Sequence, residues 1–315
     1  MHRMIIDTDT AADDSFALLV GLLHPEAQLE AVTIVNGNVG FDQEVQNALI
    51  TIEAAGRGGE VPVHPGARVP LVREWRPASA HGDGKGNHDF SAPVQQPSAE
   101  GAAEAIVRIV NESPGEIEVL AIGPLTNIAT ALFLDRDLPK KVKHLWIMGG
   151  CDNSVGNITA AAEYNFYVDP DAADIVLGAG FDTTIVTWTL TLAQAWWDEK
   201  QIATIGEIPT SLAEFFLILD APTTAHNASV GVAGSSHPDS LTAMLIVEPD
   251  LIRRSSEVFV AVETRSELTL GYSLMDRRAD RSVPNARIID EIDAEGFFAS
   301  YCRLLAAGAA SDDVG

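Results

Sequence analysis

Apolar and polar positions follow two alternating rhythms along this chain. Short apolar runs at 4–6, 29–35, 117–122, 142–148 and 183–188 have the length and β-branched content of buried strands. Between them, apolar residues spaced three and four apart predict helices from Asp13 onward and over 43–55, 102–110, 124–134 and 171–177. A short strand is expected at 61–63, and a further helix at 241–247. Repeated strand-then-helix order predicts a Rossmann-like α/β fold, a mostly parallel central sheet flanked by helices. Such sheets bind ligands at the carboxyl ends of their strands.

Two stretches break the rhythm. Residues 69–98 are rich in Pro, Gly, His and Trp and lack a steady period, which predicts a long loop insertion. In the second half, 257–263 and 268–274 read as an extra β-ribbon, followed by a strand at 286–292 and a closing helix over 294–306. No composition shift marks a boundary, so 1–315 reads as a single domain, with 306–315 a frayed tail.

The densest chemistry lies where the first strand meets the first helix. Asp7, Asp9, Asp13 and Asp14 put four carboxylates into eight residues. On a strand, residues two apart share a face, so Asp7 and Asp9 are expected to point the same way. A helix N-terminus tolerates one or two negative charges, but four at one junction repel each other unless a cation is bound. Other strand ends offer Asn36, Asn38 and Thr126, and the fifth leads into Asn157, Glu163 and Asn165. Ser235-Ser236-His237-Pro238-Asp239 precedes the helix at 241–247. An oxygen-only donor set suits Ca²⁺ or Mg²⁺, and the eight scattered histidines show no zinc spacing.

Composition narrows the partners. The formal charge of −25, from 45 acids against 20 bases, opposes nucleic acid and anionic membranes. No apolar stretch is long enough to span a bilayer. Two cysteines, Cys151 and Cys302, and no export signal suggest a cytoplasmic protein. Cys151 has no base beside it in sequence and reads as inert.

Several segments together resemble the nucleoside hydrolases, the inosine–uridine-preferring nucleoside N-ribohydrolase family. They are Asp7-Thr8-Asp9-Thr10-Ala11-Ala12-Asp13-Asp14, Val35-Asn36-Gly37-Asn38, His81-Gly82 and Gly123-Pro124-Leu125-Thr126-Asn127. Met148-Gly149-Gly150, Gly156-Asn157-Ile158-Thr159, Ala162-Glu163-Tyr164-Asn165 and Val168-Asp169-Pro170 continue the set in the family's order. The resemblance implies a Ca²⁺ held by Asp9, Asp14, the main-chain oxygen of Thr126 and Asp239, and a ribonucleoside substrate whose ribose diol the ion takes. It implies that Asp9 deprotonates the attacking water. Asp13 would hold the 2′ hydroxyl, and Asn165 and Glu163 the 3′ and 5′ side. Asn157 would hold the 5′ hydroxyl, Met148 would pack against the sugar, Asn38 would steady Asp9, and Asp7 would support the site from behind. It also implies a homodimer or homotetramer.

The chain departs from the family pattern twice. Thr10-Ala11 stands where Pro-Gly is usual, and Pro238 stands where many members carry a histidine that protonates the leaving base. His237, His226 and His81 are the candidate donors, and Trp75, more than Trp188, Trp196 or Trp197, is the candidate for stacking on the base. Two other readings compete. One is a metal-dependent nucleoside- or sugar-binding protein without turnover. The other is an aspartyl-nucleophile phosphatase, disfavoured because Ala11 breaks its motif and none of the five lysines sits at a clear strand end.

Overall fold

The computed structural model describes residues 1–78, 81–86, 88–278 and 282–308. Most of the expected tail therefore lies outside the described residues. The strands are β1 (His2–Thr8), β2 (Ala27–Ile34), β3 (Val63–Pro65), β4 (Ile117–Ala121), β5 (His144–Met148) and β6 (Thr183–Val186). They continue with β7 (Trp196–Trp197), β8 (Ser235–Ser236), β9 (Ile252–Val262), β10 (Ser273–Asp276) and β11 (Ala286–Ile292). The helices are α1 (Ala12–Leu23), α2 (Phe41–Ala54), α3 (Ala102–Glu112), α4 (Thr126–Leu134), α5 (Leu138–Lys141) and α6 (Tyr164–Val168). After them come α7 (Pro170–Leu177), α8 (Trp188–Gln194), α9 (Glu199–Gly206), α10 (Ser211–Ser229), α11 (Pro238–Val247) and α12 (Ala294–Ala306).

Nine strands form one sheet in the order β10-β9-β11-β6-β5-β4-β1-β2-β3. Pairing is parallel from β11 through β3, and only β9 runs antiparallel to its neighbours β10 and β11. The two-residue period sorts side chains to the two faces. Met4, Ile6, Leu120 and Ile122 pack with α1, α10, α11 and α12, while Ile5, Val119 and Ala121 pack with α3, α4 and α7. The chain leaves β1 toward β2 and β3 on one side, then returns to lay β4 on the other. The crevice for a ligand opens at that switch, at the carboxyl ends of β1 and β4.

Several boundaries differ from the expected ones for local reasons. Thr187 Oγ1 accepts from Leu190 N at 3.2 Å, so it caps a helix and Trp188 begins α8 rather than ending a strand. Residues 138–141 turn helically, which shortens the strand before Met148 to five residues. The ribbon is present, with β9 beginning at Ile252 and its partner at Ser273. The expected insertion is also present: between β3 and α3 the described residues form no helix or strand.

Candidate active site

β1 ends at Thr8, so Asp9 lies beyond the strand, where the loops after β2 and β4 close around it. A Cβ at Gly37 would lie 2.0 Å from Asp9 Oδ2, and one at Gly123 would lie 2.8 Å from Oδ1. Only backbone fits on either side of this carboxylate. Asp9 is fully buried, and among the described residues neither of its carboxylate oxygens has a hydrogen-bond partner. Burial first, then the charges of Asp14, Glu44 and Asp13, push it well above the usual carboxylate range.

Asp14 sits in the first turn of α1. It accepts from Thr8 Oγ1 at 2.6 Å, Ala11 N at 3.0 Å and Asn38 Nδ2 at 3.1 Å. Burial and neighbouring Asp13 still raise it to about 6. Asp239, in the first turn of α11, is raised by burial and by Asp13, Asp14 and Asp9. Asp13, Asp14 and Asp239 bring carboxylate oxygens within 4.8 Å of one another. Buried, mutually repelling, partly unpartnered oxygens are the donor set that a hard cation satisfies. The residues fit a divalent metal. Ala11 caps α1 with φ −116°, so the turn works without the expected Pro-Gly.

Asp13, Asn38, Met148, Asn157, Glu163, Asn165 and Asp239 all line one cavity of about 430 Å³. Glu163 caps α6, its carboxylate accepting from Asn165 N, Phe166 N and Gly150 N. Burial raises it to about 7 despite those three donors. Asn165 Nδ2 donates to the carbonyls of Ile122 and Met148, which holds its amide between β4 and β5. Asn157 Oδ1 accepts from Tyr164 N at 2.8 Å. Asp7 is held behind the cavity by Thr33 Oγ1 and Asn127 Nδ2, and burial lifts it to about 7.

Two expected site residues have further partners. Thr126 begins α4 and, like Asp9 and Asp14, is not among the residues lining the cavity. Its carbonyl accepts from Thr130 Oγ1 at 2.8 Å and its hydroxyl donates to Asp169. The β4 residue that lines the cavity is Ile122. Asn38 steadies Asp9 only through the main chain, at 3.3 Å from its carbonyl, while its direct carboxylate partner is Asp14.

The rest of the lining comes from α8, β7 and α10: Trp188, Leu192, Trp196, Asp220, Thr223, His226 and Asn227. His237 does not line the cavity. It is fully buried, stacked on Trp197 at 3.8 Å between ring centroids and flanked by Phe16 and Phe216. Burial depresses it to about 3, so it stands neutral and sealed from a leaving group. His226 is exposed on α10, and His81 Nδ1 lies 3.6 Å from Asp13 Oδ1, both on the cavity wall. Trp75 also lies off the cavity, its Nε1 donating to the Gly37 carbonyl at 2.6 Å. Trp188 and Trp196 hold the aromatic positions instead. Cys151 is buried and raised by burial, with no activating base. Asp220 carried no sequence signal: it stands alone in an apolar helix, and only the packing of α10 turns it to the cavity.

A catalytic class follows from the fold and the convergence of carboxylates at the switch crevice. The family model described as inosine-uridine preferring nucleoside hydrolase matches residues 4–299, and the chain belongs to that family. It is 36% identical over 299 residues to the pyrimidine-specific ribonucleoside hydrolase RihA of Shewanella sp. (strain MR-7), covering 93% of each chain. Uridine nucleosidase 1 of Arabidopsis thaliana is 36% identical over 291 residues, covering 89% of this chain and 83% of that one. A solved plant nucleoside hydrolase superposes with a TM-score of 0.90 at 30% identity, covering 97% of this chain and 99% of the other. The protein is thus a nucleoside hydrolase, which removes the phosphatase reading. Among the described residues no helix is long and apolar enough to cross a membrane.

Proposed function

We propose that the protein cleaves the N-glycosidic bond of ribonucleosides to free base and ribose, with pyrimidine ribonucleosides such as uridine as substrates. The names of its relatives support the pyrimidine assignment. The observation that carries the mechanism is Asp9, a fully buried carboxylate with both oxygens unpartnered among the described residues and raised by the charges of Asp14, Glu44 and Asp13. Asp9, Asp14 and Asp239 would hold a Ca²⁺. The main-chain ligand would be the carbonyl of Ile122, a cavity-lining residue whose carbonyl also accepts from Asn165 Nδ2, in place of that of Thr126. A cation held there would neutralise these carboxylates and would supply an acidified water and a site for the ribose diol.

The side chains supply the remaining chemistry. Asp9 takes the proton from the water that attacks the anomeric carbon. Asp13, whose Oδ1 has no hydrogen-bond partner among the described residues, accepts from the 2′ hydroxyl. Asn165 and Glu163 hold the 3′ and 5′ side, Asn157 reaches the 5′ hydroxyl, and Met148 packs against the ring. The surrounding negative charge favours an oxocarbenium-like transition state. Asn38 fixes Asp14 and the Asp9 main chain, and Asp7 supports both from behind.

Ribose release from uridine, cytidine, inosine and adenosine, by wild type and by Asp9→Ala, tests this reading. Turnover is expected for wild type and falls roughly a thousandfold in the variant, within the range for a general base. EDTA abolishes it and Ca²⁺ restores it. Binding without ribose release would instead establish the non-catalytic alternative. We also take the chain to act as one domain and as a cytoplasmic homodimer or homotetramer, a state that light scattering measures. Its two free cysteines suit a reducing compartment.

A further inference from the structure

Hydrolysis leaves a base nitrogen that must gain a proton as the C–N bond breaks. Pro238 fills the first position of α11, and His237 is sealed under Trp197, so neither delivers it. Of the proton-bearing groups left on the cavity wall, His81 faces Asp13, while His226 and Asp220 stand on α10.

We propose that Asp220 is the acid that meets the leaving nucleobase. Asp220 is among the residues lining the cavity, although only 3% exposed, and Trp188 and Trp196 belong to the same lining. Ser235 Oγ donates to Asp220 Oδ2 at 3.1 Å, while Oδ1 has no hydrogen-bond donor among the described residues. No ion pair with Asp220 occurs among the described residues, so nothing there competes to hold it as a carboxylate. Ser235 Oγ also lies 3.0 Å from His237 Nε2. With the proton on Nε2, the sealed histidine donates to the serine and the serine donates to Asp220. This chain fixes the carboxyl's rotamer and stabilises the carboxylate left after proton transfer. Burial raises Asp220 to about 6, so more of it is protonated near neutrality than of an ordinary aspartate.

The step balances. As the glycosidic bond breaks, its electron pair stays on the base nitrogen. The Asp220 proton moves to the base, at a ring nitrogen or a conjugated carbonyl oxygen. Water adds its oxygen to the anomeric carbon and gives one proton to Asp9. Asp9 later releases that proton to solvent, and Asp220 regains one. This assignment rests on the ribohydrolase reading and adds the base half of the site to it.

The test compares two leaving groups. Asp220→Asn keeps shape and hydrogen bonding but has no acidic proton. Its kcat on uridine is expected to fall about a hundredfold. On p-nitrophenyl β-D-ribofuranoside, whose phenolate leaves without protonation, the change is expected to stay within roughly threefold. An equal loss on both substrates, or no loss on uridine, overturns the proposal. So does a leaving-group-dependent loss found in His226→Gln and absent from Asp220→Asn. If Asp220→Asn fails to fold, Ser235→Ala should show the same split at about tenfold, and its absence is equally decisive. Wild type inactive on every nucleoside and on the nitrophenyl riboside refutes the ribohydrolase reading itself, an outcome distinct from the others.

Discussion

Gly37 shows how narrowly a single residue positions this site. An added methyl would overlap Asp9 Oδ2, so Asp9 or the loop after β2 has to move. Gly37→Ala is therefore expected to lower kcat on uridine about a hundredfold, the scale of a 1 Å misplacement of a catalytic group. A thermal midpoint near the wild-type value would accompany that loss if the displacement is local. Asp9→Asn acts the other way on stability. It removes one of several buried repelling charges, so in EDTA its midpoint should rise by about 1–2 °C, for roughly 1 kcal/mol in a chain of this size. The same variant should lose most of the Ca²⁺-induced rise seen in wild type. A lower midpoint in EDTA would contradict the reading of Asp9 as a strained, metal-awaiting carboxylate.

At the level of elements, the aromatic stack beneath α11 links core and site. Trp197, Phe216, Phe16 and His237 pack together, and Trp197 is buried to 1% exposure. Trp197→Ala should cost about 3–5 kcal/mol in urea unfolding, as for other buried aromatic truncations. It should also weaken Ca²⁺ binding, because His237 precedes the helix that carries Asp239. The β-then-α rhythm and the run from Asp7 to Asp14 were readable in the sequence because period and charge density are local properties. Which strand-end carbonyl faces the cavity was not. Thr126 and Ile122 lie four residues apart, and α4 opens at Thr126 while Ile122 lines the cavity. Likewise the sequence cannot tell Trp75, tied to Gly37, from Trp188 and Trp196. Their orientation depends on how α8 and β7 pack against strands far along the chain.

For the whole molecule, the buried acids couple stability to pH and metal. Asp7 and Glu163, ordinarily ionised above about pH 4, are both pushed up to about 7 in the folded protein. Between those limits the native state holds more protons than the unfolded chain, so metal-free stability falls as pH rises. In EDTA the thermal midpoint should drop between pH 5 and pH 8, and Ca²⁺ should raise it most at the upper end. A midpoint in EDTA that climbs over this interval would refute the assignment. The sheet order carries one more consequence, for synthesis. β11, near the end of the chain, lies between β6 and β9. While the chain is still emerging, β6 keeps an open edge until Ala286–Ile292 has been made, and β9 has only β10 beside it. Asp239 also emerges long after Asp9 and Asp14. An unfinished chain is thus both open to strand pairing with its neighbours and short of a metal ligand, and the last strand removes those two edges by joining β6 to β9.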